Sequence, residues 1–181
     1  MDQKYKYQKV ASYEGKIGEV KHVLLLYSGG LDTSVMLKWM QDKYGVKITT
    51  LTLDIGQQKD DLDAIRKKAL RLGAVEAIVL DAKKEFAEDF ILPALQAHAR
   101  YEQGYMMATS LGRPLIAKHL VKVAQKERAE YVAHGCTGKG NDQVRIEVGV
   151  RSLDPSLKII APLKEWSFKT REEEMDYAKA S

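Results

Sequence analysis

Two short stretches of this chain concentrate groups that could act on a charged ligand. The first is Ser28-Gly29-Gly30-Leu31-Asp32-Thr33-Ser34. It follows a short apolar run and precedes a stretch with helical spacing, so it reads as a strand-to-helix turn. Gly29 and Gly30 let the backbone turn tightly and approach a ligand with no Cβ in the way. Ser28, Thr33 and Ser34 add hydroxyl donors. A helix starting here adds unpaired N–H groups and its positive dipole end, worth about 0.3–2 kcal/mol to an anion. Together these groups make a cradle for phosphate oxygens. Gly-Gly alone would be no more than a plain capped turn. The stretch is not a Walker A loop, since no Gly-Lys-Ser/Thr closes it, and it lacks G-x-G-x-x-G spacing.

The second stretch, His134-Gly135-Cys136-Thr137-Gly138-Lys139-Gly140-Asn141-Asp142-Gln143-Val144-Arg145, sets glycines among Thr, Lys, Asn, Asp, Gln and Arg. A loop so dense in hydrogen-bonding groups is costly unless it is solvated or holds a polar ligand. Arg145 offers a planar fork for a carboxylate and Asp142 can hold an ammonium. An amino acid carries both groups and would match. The alternative is a mobile surface loop.

The elements that must position these stretches alternate in kind. Strands are expected at His22–Leu26, Lys47–Asp54, Ala77–Leu80, Tyr131–Ala133 and Lys158–Ala161, from short apolar or β-branched runs. Helical spacing marks Thr33–Lys43, Asp61–Leu72 and Lys83–Ala99, the last kinked or divided by Pro93. Ser110 is expected to cap a helix running to about Arg128, with Pro114 in its first turn. Val144–Val150 reads as a short helix, and Thr170 with Glu173 as a capping box for a last one. Strand and helix in alternation predict an α/β fold, a parallel sheet with helices on both faces. In such sheets ligands sit at the carboxyl ends of the strands, where strand order reverses. Both glycine-rich turns follow strands, so they are expected to meet at one site. Residues 1–21 read as an N-terminal extension and 22–181 as the domain. The chain stops at Ser181 inside a helix with neither glycine cap nor proline stop, which predicts that a partner domain is missing.

With 181 residues, 45% hydrophobic and 30% charged, a single well-buried domain is expected and disorder is not. The net charge of +4 suits an anionic ligand, though it suits a plain solvated surface as well. Cys136 is the one cysteine, so an intrachain disulfide and a thiolate metal site are both excluded. No apolar run is long enough for a membrane span, and no signal-peptide pattern opens the chain, so a cytoplasmic setting is the default. His119 reads as a packed helix residue beside Leu115, Leu120 and Val123. Cys136 reads as a small loop residue, and Trp39 and Met40 as core.

SGGLDTS resembles the PP-loop of the ATP-pyrophosphatase families, which cut ATP between its α- and β-phosphates. HGCTGKGNDQVRIE resembles the corresponding stretch of the argininosuccinate synthase family. DIGQ at Asp54–Gln57, YMMATSLGRPLIAK at Tyr105–Lys118 and IIAPLKEW at Ile159–Trp166 agree with it. The resemblance runs from about Val23 onward. It implies an adenine nucleotide alpha hydrolase-like fold and, beyond this chain, a C-terminal synthetase domain with further citrulline residues. It implies an ATP site at Leu26, Tyr27, Ser28, Gly29, Gly30, Leu31, Asp32, Thr33 and Ser34, with Leu53 and Gly135 near the adenine. Citrulline would meet Tyr105, Ser110, Asn141 and Arg145; aspartate would meet Thr137, Asn141 and Asp142. Asp32, Asp142 and Arg145 would carry the catalytic roles, with Mg²⁺ as cofactor. Asp32 is the candidate Mg²⁺ ligand, with capping of the helix dipole as its equal alternative. Leu26 and Leu53 stand where smaller alanines are common in the family, which alters the shape expected of the adenine pocket. The partners implied are small molecules, with no nucleic acid and no membrane, in a homotetramer when full length. The alternatives are another PP-loop enzyme, such as one modifying tRNA, or a non-catalytic nucleotide-binding domain.

Overall fold

The computed structural model describes residues 15–57, 61–102, 104, 107–137, 140–168 and 170–180. Its elements are β1 (His22–Leu26), α1 (Leu31–Tyr44), β2 (Lys47–Asp54), α2 (Leu62–Arg71), β3 (Glu76–Asp81) and α3 (Lys83–Glu85). A π-helical stretch (Phe86–Ile91) leads into α4 (Leu92–Gln96), followed by α5 (Ala108–Glu127), β4 (Tyr131–Ala133), α6 (Asn141–Leu153) and β5 (Lys158–Ile160). A 3₁₀ turn (Pro162–Lys164) and α7 (Arg171–Ala180) complete the described chain.

The strands form one sheet in the order β3-β2-β1-β4-β5, and every pairing is parallel. Side chains alternate across it, as strand geometry requires. On one face Val23, Leu25 and Tyr27 meet Met36, Leu37 and Met40 of α1. On the other Leu24 meets Leu115 and Leu120 of α5 and Ile146 and Val150 of α6. Each fully buried Leu or Ile contributes about 1.5–3 kcal/mol of burial, so both faces are held by packing. Trp39 packs edge-on to Tyr44 and Trp166, at 5.9 and 6.3 Å between ring centroids. Tyr177 of α7 donates to Asp42 of α1.

Most expected elements appear within a few residues of their expected ends, and the exceptions have local causes. α6 starts at Asn141 and runs to Leu153, longer than Val144–Val150, because the polar run after Gly140 is already its first turn. The helical stretch after β3 ends at Gln96 rather than Ala99. Pro93 does perturb it: Leu92 N–H bonds to Ala87 C=O, five residues back. That widened turn relieves the clash a proline ring makes with the preceding turn. Ser110 does not cap α5. The helix follows Met107, whose φ is 56°, and Leu111 N–H already bonds to Met107 C=O at 2.9 Å. Pro114 therefore lies inside α5, not in its first turn, and leaves the Ser110 carbonyl without its helical N–H partner. Thr170 caps α7 as expected: Glu173 N–H donates to Thr170 Oγ1 at 3.3 Å, one of the two bonds of a capping box.

Candidate functional site

The strand order turns at β1, with β2 and β3 to one side and β4 and β5 to the other. The carboxyl ends of β1 and β4 therefore flank a crevice, and both glycine-rich turns emerge there. The crevice holds a cavity of about 360 Å³ lined by Leu26, Tyr27, Ser28 and Thr33 from the first turn and by His134, Gly135 and Cys136 from the second. Leu51, Thr52, Leu53, Ile55 and Gln57 close it from β2 and its loop, and Arg113, Ile116 and Ile146 from α5 and α6. The lining mixes apolar side chains (Leu26, Leu51, Leu53, Ile55, Ile116, Ile146) with polar ones (Ser28, Thr33, Thr52, Gln57, Arg113, His134).

The first turn is knit from its own hydroxyls. Tyr27 N–H extends the sheet ladder to Leu51 C=O at 2.9 Å, and Thr52 Oγ1 donates to Tyr27 C=O at 2.7 Å. Tyr27 Oη and Ser34 Oγ lie 3.0 Å apart, and Ser34 Oγ donates to Gly30 C=O at 2.7 Å. Burial pushes the Tyr27 phenol above its usual value, against the opposing effect of Ser34, so it stays a neutral partner. Ser28 Oγ lies 3.2 Å from Thr33 Oγ1 and accepts from Gly30 N–H at 3.3 Å. Gly29 has φ +77°, and a Cβ there would stand 2.7 Å from Ile65 Cγ1 of α2. Both the conformation and the close approach require glycine. Gly30 caps α1 without a side-chain hydrogen bond, so the first N–H groups of α1 keep no capping side chain.

The second turn is knit from side chains. His134 and Glu147 are buried, each side chain 1% exposed, with Nε2 and Oε1 3.1 Å apart. Nδ1 accepts from Cys136 N–H at 3.2 Å, which assigns the ring proton to Nε2 and the donation to Glu147. Gln143 and Lys164 donate to the same Oε1 at 2.9 and 3.3 Å. This network ties the start of the loop to α6 and the chain after β5. At the mouth, Asp142 is held by Arg113 at 2.7 Å and by Arg145 at 3.2 Å. The Arg113 guanidinium, and after it Arg145, keeps the Asp142 carboxyl below its usual value. The two turns touch: a Cβ on Gly135 would lie 3.1 Å from Met36 Cε and 3.3 Å from Thr33 Cγ2.

Of the residues singled out in the sequence, Leu26, Tyr27, Ser28, Thr33, Leu53 and Gly135 line the cavity. Gly29, Gly30, Leu31 and Ser34 complete the turn behind it. Asp32 is exposed and stands outside the lining, facing Glu174 of α7. Burial, and then the Asp32 charge, raises the Glu174 carboxyl above its usual value. Asn141, Asp142 and Arg145 share the first turns of α6. Ser110 lies on α5, Thr137 is exposed in the loop, and Tyr105 falls outside the described residues. Burial raises the Cys136 thiol, so it offers no ready thiolate. His119 does not merely pack: its Nε2 lies 2.8 Å from Glu85. Sequence reasoning missed Arg113, Gln57 and the His134–Glu147 pair. Arg113 stands three residues after Ser110, one helical neighbour away, and that spacing was the available signal.

An all-parallel sheet of this order, helices on both faces and a Ser-Gly-Gly turn beside the switch point define an α/β domain of the adenine nucleotide alpha hydrolase-like (HUP) class. A solved structure described as a predicted subunit of tRNA methyltransferase from Methanocaldococcus jannaschii shares the fold at 18% identity, with a TM-score of 0.58 over 86% of this chain and 76% of that one. Residues 22–181 match the family described as Arginosuccinate synthase N-terminal HUP domain, and the chain belongs to the argininosuccinate synthase family. It is 59% identical over 156 residues to argininosuccinate synthase of Dictyoglomus thermophilum, and 54% identical over 157 to that of Clostridium tetani. These alignments cover 86% and 87% of this chain but only 39% of either relative. No helix among the described residues is long and apolar enough to cross a membrane.

Proposed function

We propose that this chain is the ATP-binding part of an argininosuccinate synthase, a ligase that joins citrulline to aspartate and releases AMP and pyrophosphate. The meeting of the two glycine-rich turns, with Gly135 packed against Thr33 at the crevice, carries this reading. A phosphate cradle beside a loop of amino-acid-binding groups is the arrangement such a ligase needs. Residues 22–181 are the nucleotide-binding domain in this reading and 1–21 an extension.

The apolar part of the lining, with Leu26 and Leu53, takes the adenine, and Gly135 lets the second turn lie close to it. The ureido oxygen of citrulline attacks the α-phosphate; the bond from that phosphorus to the bridging oxygen breaks, and pyrophosphate leaves toward Ser28–Ser34. The amine of aspartate then attacks the activated carbon, AMP departs with the ureido oxygen, and the amine proton passes to solvent or phosphate. Tyr105, Ser110, Asn141 and Arg145 hold citrulline; Thr137, Asn141 and Asp142 hold aspartate. With both its oxygens gripped by arginines, Asp142 stays ionised near neutrality and offers the aspartate ammonium a fixed acceptor. Catalysis of this kind is positioning and charge stabilisation.

Among the described residues no three His, Cys, Asp or Glu side chains converge on a metal site. Mg²⁺ bound through substrate phosphates needs only one or two carboxylates, and exposed Asp32 at the start of α1 fits that share. Asp32 would hold Mg²⁺, which neutralises phosphate charge. The full-length protein is read as a cytoplasmic homotetramer. The test is release of AMP and pyrophosphate from MgATP by this domain joined to the remaining length of its relatives. Release that requires both citrulline and aspartate is expected; cleavage indifferent to citrulline would sink the proposal.

A further inference from the structure

Gly29 and Gly30 make the phosphate turn possible, and they also leave it ambiguous. A peptide between two glycines can rotate end for end at little cost, because no Cβ resists either orientation. In one orientation its N–H faces the ligand. In the other its carbonyl oxygen does, and that oxygen repels phosphate. Something must set the orientation.

One face of α2 lies against this peptide. Ile65 fills the space beside Gly29, and Lys68, three residues on and on the same helix face, donates from Nζ to Gly29 C=O at 2.7 Å. A trans peptide points its C=O and N–H in opposite directions. With the Gly29 oxygen drawn to Lys68, the Gly30 N–H is turned to the other side, where it meets Ser28 Oγ at 3.3 Å beside Thr33. Ser28 and Thr33 are the cavity-lining hydroxyls of the turn. Lys68 differs from nearby lysines in its target, a backbone oxygen. Lys67 pairs with Asp63, and Lys43, Lys83, Lys118 and Lys164 each pair with a carboxylate. Among the described residues no carboxylate lies within salt-bridge distance of Lys68. Its ammonium is partly buried and aimed at a backbone oxygen, an arrangement that a solvated surface lysine does not need.

We infer that Lys68 is a positioning residue for the phosphate turn: it locks the Gly29–Gly30 peptide with its carbonyl outward and its N–H toward the β- and γ-phosphate end of the cradle. The inference rests on the nucleotide reading of that cradle and adds to it the residue that sets the cradle's polarity.

The experiment is calorimetric binding of inorganic pyrophosphate and of AMP, each alone, to the 181-residue chain, its Lys68→Met and its Lys68→Arg variants. Lys68→Met removes the donor, and about a tenfold loss of pyrophosphate affinity is expected, as for losing one charge-assisted hydrogen bond at the turn. AMP, which does not reach that end, should bind within about twofold of the unsubstituted chain, and Lys68→Arg should restore pyrophosphate binding. Unchanged pyrophosphate binding by Lys68→Met would overturn the proposal. So would equal losses of AMP and pyrophosphate, which mark a collapsed domain and not a turned peptide. Failure of the unsubstituted chain to bind either ligand would defeat the nucleotide reading and this proposal with it, and it is told apart because no substitution is involved.

Discussion

The two turns at the crevice are built on opposite plans. Ser28–Ser34 is shaped by backbone: a glycine at φ +77°, a glycine cap, and hydroxyls that bond within the turn. The loop from His134 is shaped by side chains that bond across elements, with Glu147 anchoring its base and the arginine pair gripping Asp142 at its rim. The first plan suits recognition by charge alone, since backbone N–H groups read charge and not identity. The second suits discrimination among substrates, since each charged side chain can be matched to one functional group. Damage should follow the same division. Changes at the backbone turn should act through shape, and changes at the side-chain loop through buried charge and lost partners.

The largest effect is expected from the base of the second loop. Glu147→Ala leaves the His134 Nε2–H facing a hole in the core and removes a carboxylate contact of Lys164. Removing one partner of a buried charged network costs about 3–5 kcal/mol, which for a domain of this size lowers the melting temperature by roughly 6–20 °C. Glu147→Gln keeps the shape and one acceptor and should lose clearly less. Calorimetric melting of the three proteins decides it. Equal melting of Glu147→Ala and the parent would mean that the loop is held by something other than this network.

Gly29→Ala is next, and it tests the claim that shape governs the first turn. The new methyl meets two obstacles, the positive φ and Ile65 at 2.7 Å, for a combined cost of about 1–3 kcal/mol. Gly18→Ala supplies the control: its φ is +88°, yet a Cβ there has nothing within 4 Å. It should cost only the backbone share, about 1 kcal/mol. Pairing Gly29→Ala with Ile65→Ala should recover the difference, a non-additive result that chemical denaturation can measure. Strict additivity would show that Ile65 does not press on the turn.

The same division explains what could be read in the sequence. The parallel sheet was legible because its strands are short apolar runs bounded by turn residues, and burial on both faces needs no more than that. The first turn was legible because the glycines and hydroxyls that make it are contiguous. The second was legible only as a list of polar residues. That Asp142 would be claimed by Arg113 depends on where α5 crosses α6, 29 positions apart along the chain, and no local spacing encodes that crossing. The start of α5 was misplaced for a related reason. Ser110 has the chemistry of a cap, but the positive φ at Met107 starts the helix earlier, and residue type at Met107 gives no sign of it. Lys68 looked like one more surface lysine because its target is a backbone oxygen, which leaves no trace in the sequence.

The smallest effect, and the finest test of the comparison, lies at the rim. Asp142 is about one-third exposed, so its two arginine contacts should together contribute only about 1 kcal/mol to stability. Its carboxyl titrates lower in the folded chain than the ordinary aspartate value of 3.8, Arg113 being the main cause. A depressed carboxyl pKa stabilises the fold above the unfolded-state value, and that contribution is lost as pH falls through the folded-state one. Asp142→Asn should therefore be less stable than the parent at pH 6, and the gap should close as pH drops below 3.8. Urea titrations of both proteins at pH 6 and pH 3 read the gap directly. A gap as large at pH 3 as at pH 6 would assign the role of Asp142 to shape, as in the first turn. The closing gap expected here assigns it to charge, which is the property the second turn is built to present.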